Sequence, residues 1–168
     1  EQTVDEIFRR RVRRNHSSTH LVHESLRKIL GSHVAQKGSL NNSERLRFDF
    51  SHDLPVTADQ IFAIEKIANK YVILNSKVVT ETMPLEEAKK TGARALFGEK
   101  YSEDVRVVKI GLEDKSYFST ELCGGLHVNS TGEIGLIKVL GDTASSSGVR
   151  RIEAVTGNKA IQFIEDIQ

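Results

Sequence analysis

The sequence predicts an α+β fold, a mostly antiparallel sheet with helices packed on it. Three observations carry this expectation: two long stretches have helical periodicity, several short ones alternate apolar and polar residues between turn formers, and no repeat or low-complexity tract intervenes. With 168 residues, 38% of them hydrophobic and 28% charged, the chain can bury one sizeable core, so residues 1–168 are read as a single domain.

From Val4 to Gly31 the pattern is helical, with an expected break near Asn15, which can cap a second helix that Gly31 ends. Residues 33–51 hold two alternating stretches joined by the turn-prone Asn41-Asn42, the mark of a hairpin. Thr57 or Asp59 starts an amphipathic helix to about Leu74, with Ile61, Ile64, Ala68 and Tyr71 or Val72 on the stripe that lies across a sheet. A strand, "KVVTETM", precedes a short helix from Pro84 to about Lys90, and strands follow at 105–111 and 117–122. After a Cys-Gly-Gly loop the chain returns as "GEIGLIKVL" and "GVRRIEAVT" and finishes in a helix from about Asn158.

The formal net charge of +1 leaves any nucleic-acid contact to local basic patches, of which "RRRVRR", Arg9 to Arg14, is the densest. That run suits phosphates of an RNA stem or a solvated helix face, and residues 1–14 are read as a possible linker helix. No apolar run approaches the roughly 20 residues that span a bilayer and no signal peptide is visible, so the expectation is a cytoplasmic protein without membrane contact. The first residue is Glu1 rather than Met, which suggests a piece of a longer protein.

Chemistry concentrates in two pairs. His16 and His20 are four apart, which on a helix stacks both imidazoles on one face. Cys123, the single cysteine, and His127 repeat the spacing across Gly124 and Gly125, which let a loop turn both side chains one way and let backbone amides approach a ligand closely. Three imidazoles and a thiolate suit zinc; the alternative is a buried cysteine among unrelated surface histidines. His23, one turn beyond His20, reads as a support or a solvent-facing residue, and His33 and His52 carry no spacing signal. Asp49, between two phenylalanines, is expected to fix the fold or a histidine.

"NHSSTHLVHESLRKILGSHVAQKGS", "LRFDFSH", "GARALFGEKY", "VRVVKIG", "ELCGGLHV" and "TGEIGLIKV…GVRRIEAVTG" resemble consecutive blocks of the editing domain of alanyl-tRNA synthetase, from about Arg10 to Gly157. The same fold serves free-standing alanyl-tRNA trans-editing proteins and the threonyl-tRNA synthetase editing domain, whose cysteine motif typically ends in Gly-Pro-His where this chain has Gly-Leu-His. The resemblance implies the zinc-binding second-additional-domain type of fold, with Zn2+ held by His16, His20, Cys123 and His127. It implies hydrolysis of serine or glycine from the acceptor end of tRNA(Ala), with the remaining domains of the synthetase as partners. The other readings are a free-standing deacylase and a zinc-stabilised tRNA-binding module without hydrolysis.

A proofreading site answers a physical need, because a pocket for alanine cannot sterically exclude glycine and discriminates weakly against an added hydroxyl. Gln36, which the family motif also carries, is the candidate for placing water and substrate, and Thr19 is the hydroxyl between the ligands expected to face the pocket, ahead of Ser17 and Ser18. The amides of Gly124 and Gly125 are candidate oxyanion donors. Leu126 stands where the family usually has threonine, and either alters serine selectivity or packs inward without effect. Arg150 and Arg151 alternate across a strand, so at most one faces substrate, an ion pair with Glu153 or Glu121 being the alternative. Aromatic residues of "ALFGEKY", among them Phe97, and of "KSYFST" are candidate platforms for stacked bases.

Overall fold

The computed structural model describes residues 3–95 and 100–167. Its elements run α1 (Glu6–Leu30), β1 (Gln36–Asn41), β2 (Leu46–Ser51), α2 (Ala58–Leu74), β3 (Val79–Pro84), α3 (Leu85–Lys90), β4 (Asp104–Glu113), β5 (Ser116–Leu122), a 3-10 turn (Thr131–Ile134), β6 (Ile137–Ser146), β7 (Val149–Thr156) and α4 (Asn158–Asp166). The α+β class is as expected, but the strands form two antiparallel sheets rather than one, in the orders β1-β2-β7-β6 and β3-β4-β5. Alternation along a strand marks its buried face and says nothing about its neighbour, so the division was not readable from the pattern.

The expected break at Asn15 is absent: α1 is one helix of 25 residues, capped at Asp5, whose carboxylate accepts from the amides of Ile7 and Phe8. Asn15 is buried, and its amide donates to the carbonyl of Asn42 at 2.7 Å while its Oδ1 accepts from the Thr156 hydroxyl at 2.8 Å. Partners far along the chain engage the amide that would otherwise compete with the helix backbone. Within α1 the run Ser17–Leu26 is buried although seven of its ten residues are polar, because the helix packs against strands of both sheets. Ser18 and Ser25 donate back to the carbonyls of Arg14 and Leu21, so these hydroxyls are satisfied within the helix, and Ser18 is not solvent-exposed.

The first hairpin closes as expected, the Asn42 side chain accepting from the amides of Glu44 and Arg45. The register of β1 on β2 shifts between Gln36 and Gly38, a bulge that re-aims the start of the strand. Thr57 and Gln60 form a reciprocal capping box on α2, which buries Ile64, Ala68, Tyr71 and Val72. The main core lies between α1, α2 and the four-stranded sheet, around Leu21, Leu26, Phe48, Phe50, Ile64, Ile137 and Ile152. A smaller one, Ala88, Val105, Val107 and Leu122, sits under α3. β5 thus touches α1 on one side and the smaller core on the other, and so carries its C-terminal residues to the histidines.

Candidate metal centre

His16 and His20 project from α1, and Cys123 and His127 from the loop after β5. Their ligand atoms all lie within 4.8 Å of one another, with Cys123 Sγ 3.4 Å from both His16 Nε2 and His127 Nε2. A nitrogen and a sulfur on one tetrahedral zinc-sized ion stand about 3.6 Å apart, from bond lengths of about 2.05 and 2.3 Å, so this spacing fits such an ion. Among the described residues, no group pairs with the buried Nε2 of His20, the atom left for the centre once Nδ1 is engaged.

Two of the imidazoles are oriented from behind, as metal-binding imidazoles commonly are. His20 Nδ1 lies 3.0 Å from Glu121 Oε2, and His127 Nδ1 lies 3.1 Å from the Ser17 hydroxyl, which also accepts the Val128 amide. Gly125 lets the loop close on α1: a Cβ there would stand 2.0 Å from His16 Cε1, whereas one on Gly124 would meet nothing within 4 Å. The glycine pair is thus required at one position by close approach to a ring, and neither glycine has positive φ.

The charges match a ligand set. Burial pushes the Cys123 thiol up, but hydrogen bonds from His127 and His16 and the nearby His20 bring it down to about 3, leaving a thiolate at neutral pH. Burial pushes His20 down, yet Glu121 and the Cys123 thiolate carry it up to about 10. Burial and the neighbouring imidazoles push His127 down to about 4, against the pull of Cys123. Burial raises Glu121, but His20 and His23 hold it well below the usual carboxylate range. The cluster can hold a metal ion.

The ligands His16, His20 and Cys123 line one pocket of about 290 Å³ with Thr19, His23, Gln36, Ser39, Phe48, Arg94 and Glu121. Gln36 donates weakly to the Ser39 hydroxyl, 3.4 Å away. The Thr19 hydroxyl is 2.6 Å from Asn41 Oδ1. Arg94 pairs with both Glu24 and Glu121.

Other sequence candidates lie elsewhere. Gly124, Gly125 and Leu126 do not line this pocket, and Leu126 is 42% exposed rather than packed inward. Arg150 is paired with Asp142, and Arg151 makes a bidentate pair with Asp49 at 2.7 and 2.8 Å, neither arginine reaching the pocket or choosing the expected Glu153 or Glu121. Phe118 stacks on Tyr71 with centroids 4.0 Å apart. Phe97 lies outside the described residues. Arg14 donates to the carbonyl of Glu133. Sequence reasoning passed over Ser17, Ser39, Arg94 and the anchoring role of Glu121. One signal was present: Ser119 and Glu121 alternate along β5, so the strand presents both on one face, just before Cys123.

Comparison with known proteins follows this geometry. Residues 105–153 match the threonyl and alanyl tRNA synthetase second additional domain. The chain is 54% identical over 164 residues to an alanine-tRNA ligase of Nitrobacter winogradskyi, 94% of this chain and 18% of that one. It is 49% identical over 164 residues to the Paraburkholderia phytofirmans ligase, 98% of this chain and 18% of that one, and 53% identical over 169 residues to that of Rhizobium johnstonii, 98% and 19%. The chain therefore spans less than a fifth of the length of the curated relatives it matches. Among the described residues, no helix is long and apolar enough to cross a membrane. Along nearly its whole length the chain is thus similar to one segment of these alanine-tRNA ligases, and within that segment residues 105–153 match the threonyl and alanyl tRNA synthetase second additional domain.

Proposed function

We propose that residues 1–168 are the proofreading domain of an alanyl-tRNA synthetase, hydrolysing the ester of serine or glycine on the acceptor end of tRNA(Ala) at a zinc-bearing pocket. One observation carries the reading: three imidazoles and a thiolate converge beside a pocket that also presents Gln36. His16, His20, Cys123 and His127 would hold the zinc, which when bound supplies a positive centre able to anchor the substrate amine or polarise a carbonyl. The remaining work falls to the chain itself. An aminoacyl ester is already activated, so placing a water and donors for the developing oxyanion are the main requirements. The Gln36 carboxamide accepts from the water and donates to substrate, with Ser39 steadying its amide end. Thr19, its hydroxyl held between the acceptors Asn41 Oδ1 and the Asn15 carbonyl, offers a lone pair to the pocket. Gly124 and Gly125 do not line the pocket, so their amides are given no contact with the oxyanion. Leu126, Arg150 and Arg151 are given no contact with the aminoacyl group.

The test is hydrolysis of seryl-, glycyl- and alanyl-charged alanine tRNA by the chain as isolated, after chelation, and as Cys123→Ala. Release of serine and glycine that spares alanine and collapses on chelation is expected. Binding of tRNA without cleavage, or equal cleavage of all three esters, would overturn the reading.

A further inference from the structure

We infer that His23 reads the side-chain hydroxyl of the bound amino acid and so sets the preference for serine over alanine, an inference that rests on reading the pocket as an aminoacyl-ester hydrolase. His23 is 5% exposed, lines the pocket and stands one turn along α1 from the ligand His20. Its Nδ1 is 3.0 Å from Glu121 Oε1, while the other oxygen of the same carboxylate is 3.0 Å from His20 Nδ1. A carboxylate only accepts, so both imidazoles present Nδ1–H to it, and in its neutral form each ring leaves Nε2 as a bare lone pair, in His20 once the metal has displaced its proton. The two rings then diverge in use. In His20 that nitrogen belongs to the four-ligand cluster, and His23 does not belong to it. Among the described residues, nothing donates to His23 Nε2, although the atom is buried.

Phe48 packs against the His23 ring at a tilt, with centroids 4.9 Å apart, and Glu121 is gripped in turn by Arg94 at 3.0 Å, so both the ring and its carboxylate partner are held in place. A fixed, buried acceptor in a substrate pocket selects for a ligand that donates there and against one that leaves it unpaired. The reach is right: three helical residues separate the two Cα atoms by about 4.5 Å along the axis. A seryl hydroxyl about 3 Å from its own ester carbon, with a hydrogen bond of about 2.8 Å, spans from beside His20 to His23. Alanine offers no donor at that place. Glycine is indifferent to it, since its side chain does not reach.

His23→Asn separates the two functions of the ring, because the asparagine amide can still donate to Glu121 while the Nε2 acceptor is gone. The zinc-loaded chain and this variant are titrated calorimetrically with non-hydrolysable 3′-amide analogues of seryl-, alanyl- and glycyl-adenosine, and ester hydrolysis is followed alongside. The expected result is a loss of about tenfold in affinity for the seryl analogue, with the alanyl and glycyl analogues within twofold and zinc content unchanged. A second measurement needs no variant: imidazole-nitrogen NMR of the wild-type chain should show the His23 Nε2 resonance moving with the seryl analogue and not with the alanyl one. Equal weakening of all three analogues, no weakening, or an unmoved resonance overturns the assignment. A wild-type chain that binds the seryl analogue through His23 yet cleaves no ester keeps this inference and sinks the hydrolase reading; seryl cleavage whose selectivity survives His23→Asn does the reverse.

Discussion

Replacing Gly125 by alanine should dismantle the metal centre, while the same change at Gly124 should pass almost unnoticed. The added Cβ at Gly125 would lie 2.0 Å from His16 Cε1 and 2.5 Å from Nδ1. Non-bonded carbons settle at about 3.5 Å or more, so the ring and loop must part by about 1.5 Å. Metal–ligand distances tolerate only about 0.2 Å, which puts His16 out of the coordination sphere. Disturbing a group merely behind a ligand costs about 10–100-fold in metal affinity, so losing the ligand should cost about 100-fold or more. Gly124 has no atom within 4 Å of the added carbon, and neither residue has a positive φ, so backbone strain does not confuse the comparison. Competition for zinc against a chromophoric chelator, with circular dichroism to verify folding, measures both variants. If Gly125→Ala binds zinc within threefold of the wild type, the close approach of loop and helix is not what the centre depends on.

Three further outcomes follow from other parts of the structure. Zinc loading at neutral pH should release at least the proton of His20, because Cys123 at about 3 and His127 at about 4 are already deprotonated while His20 at about 10 must give up its own; the buffer dependence of the binding enthalpy counts it, and release of none contradicts the charge assignment. Asn15→Ala should destabilise the fold by about 1–2 kcal/mol, two buried hydrogen bonds lost against a helix-propensity gain of about 0.7 kcal/mol, read as a lower urea midpoint at unchanged slope; a more stable variant would show that the pin is not stabilising. The Arg151 guanidinium holds the Asp49 carboxyl below its ordinary range against the opposing effect of burial. This contribution is therefore complete above the unfolded value of about 3.9 and fades as pH falls through the lower folded value. Asp49→Asn should accordingly be less stable than the wild type at pH 7 and converge on it in acid, and a gap independent of pH counts against the pair.

What could be read from the sequence was what depends on near neighbours. The stripe of α2, the capping Thr57, the hairpin turn at Asn42 and the two four-residue ligand spacings all follow from residues within a turn or two of one another. Asn15 misled for the opposite reason: it looks like a cap locally, but its partners lie 27 and 141 residues away. The pairing of β2 with β7, which makes a four-stranded sheet and leaves β3-β4-β5 separate, is equally non-local. In the site, the ligands were visible as a pattern and their supports were not. Ser17 reaches His127 across 110 residues, and the double grip of Glu121 on His20 and His23 spans about as many. Arg150 and Arg151 show the limit of strand parity, which sends them to opposite faces and cannot say which carboxylate waits there.

The burial of α1 against two sheets has a consequence for how the domain is made. α1 is synthesised before β5 and β7, which help to enclose it and lie in the last third of these residues, and Thr156 is needed to satisfy Asn15. During synthesis its serines, threonine and histidines stay in water until the final strand emerges, so this polar run keeps the nascent segment soluble where a leucine-rich helix would seek premature contacts. Closure then comes late, through pairings of long sequence separation, which places this domain among slow folders and makes its last strand the event that commits the chain.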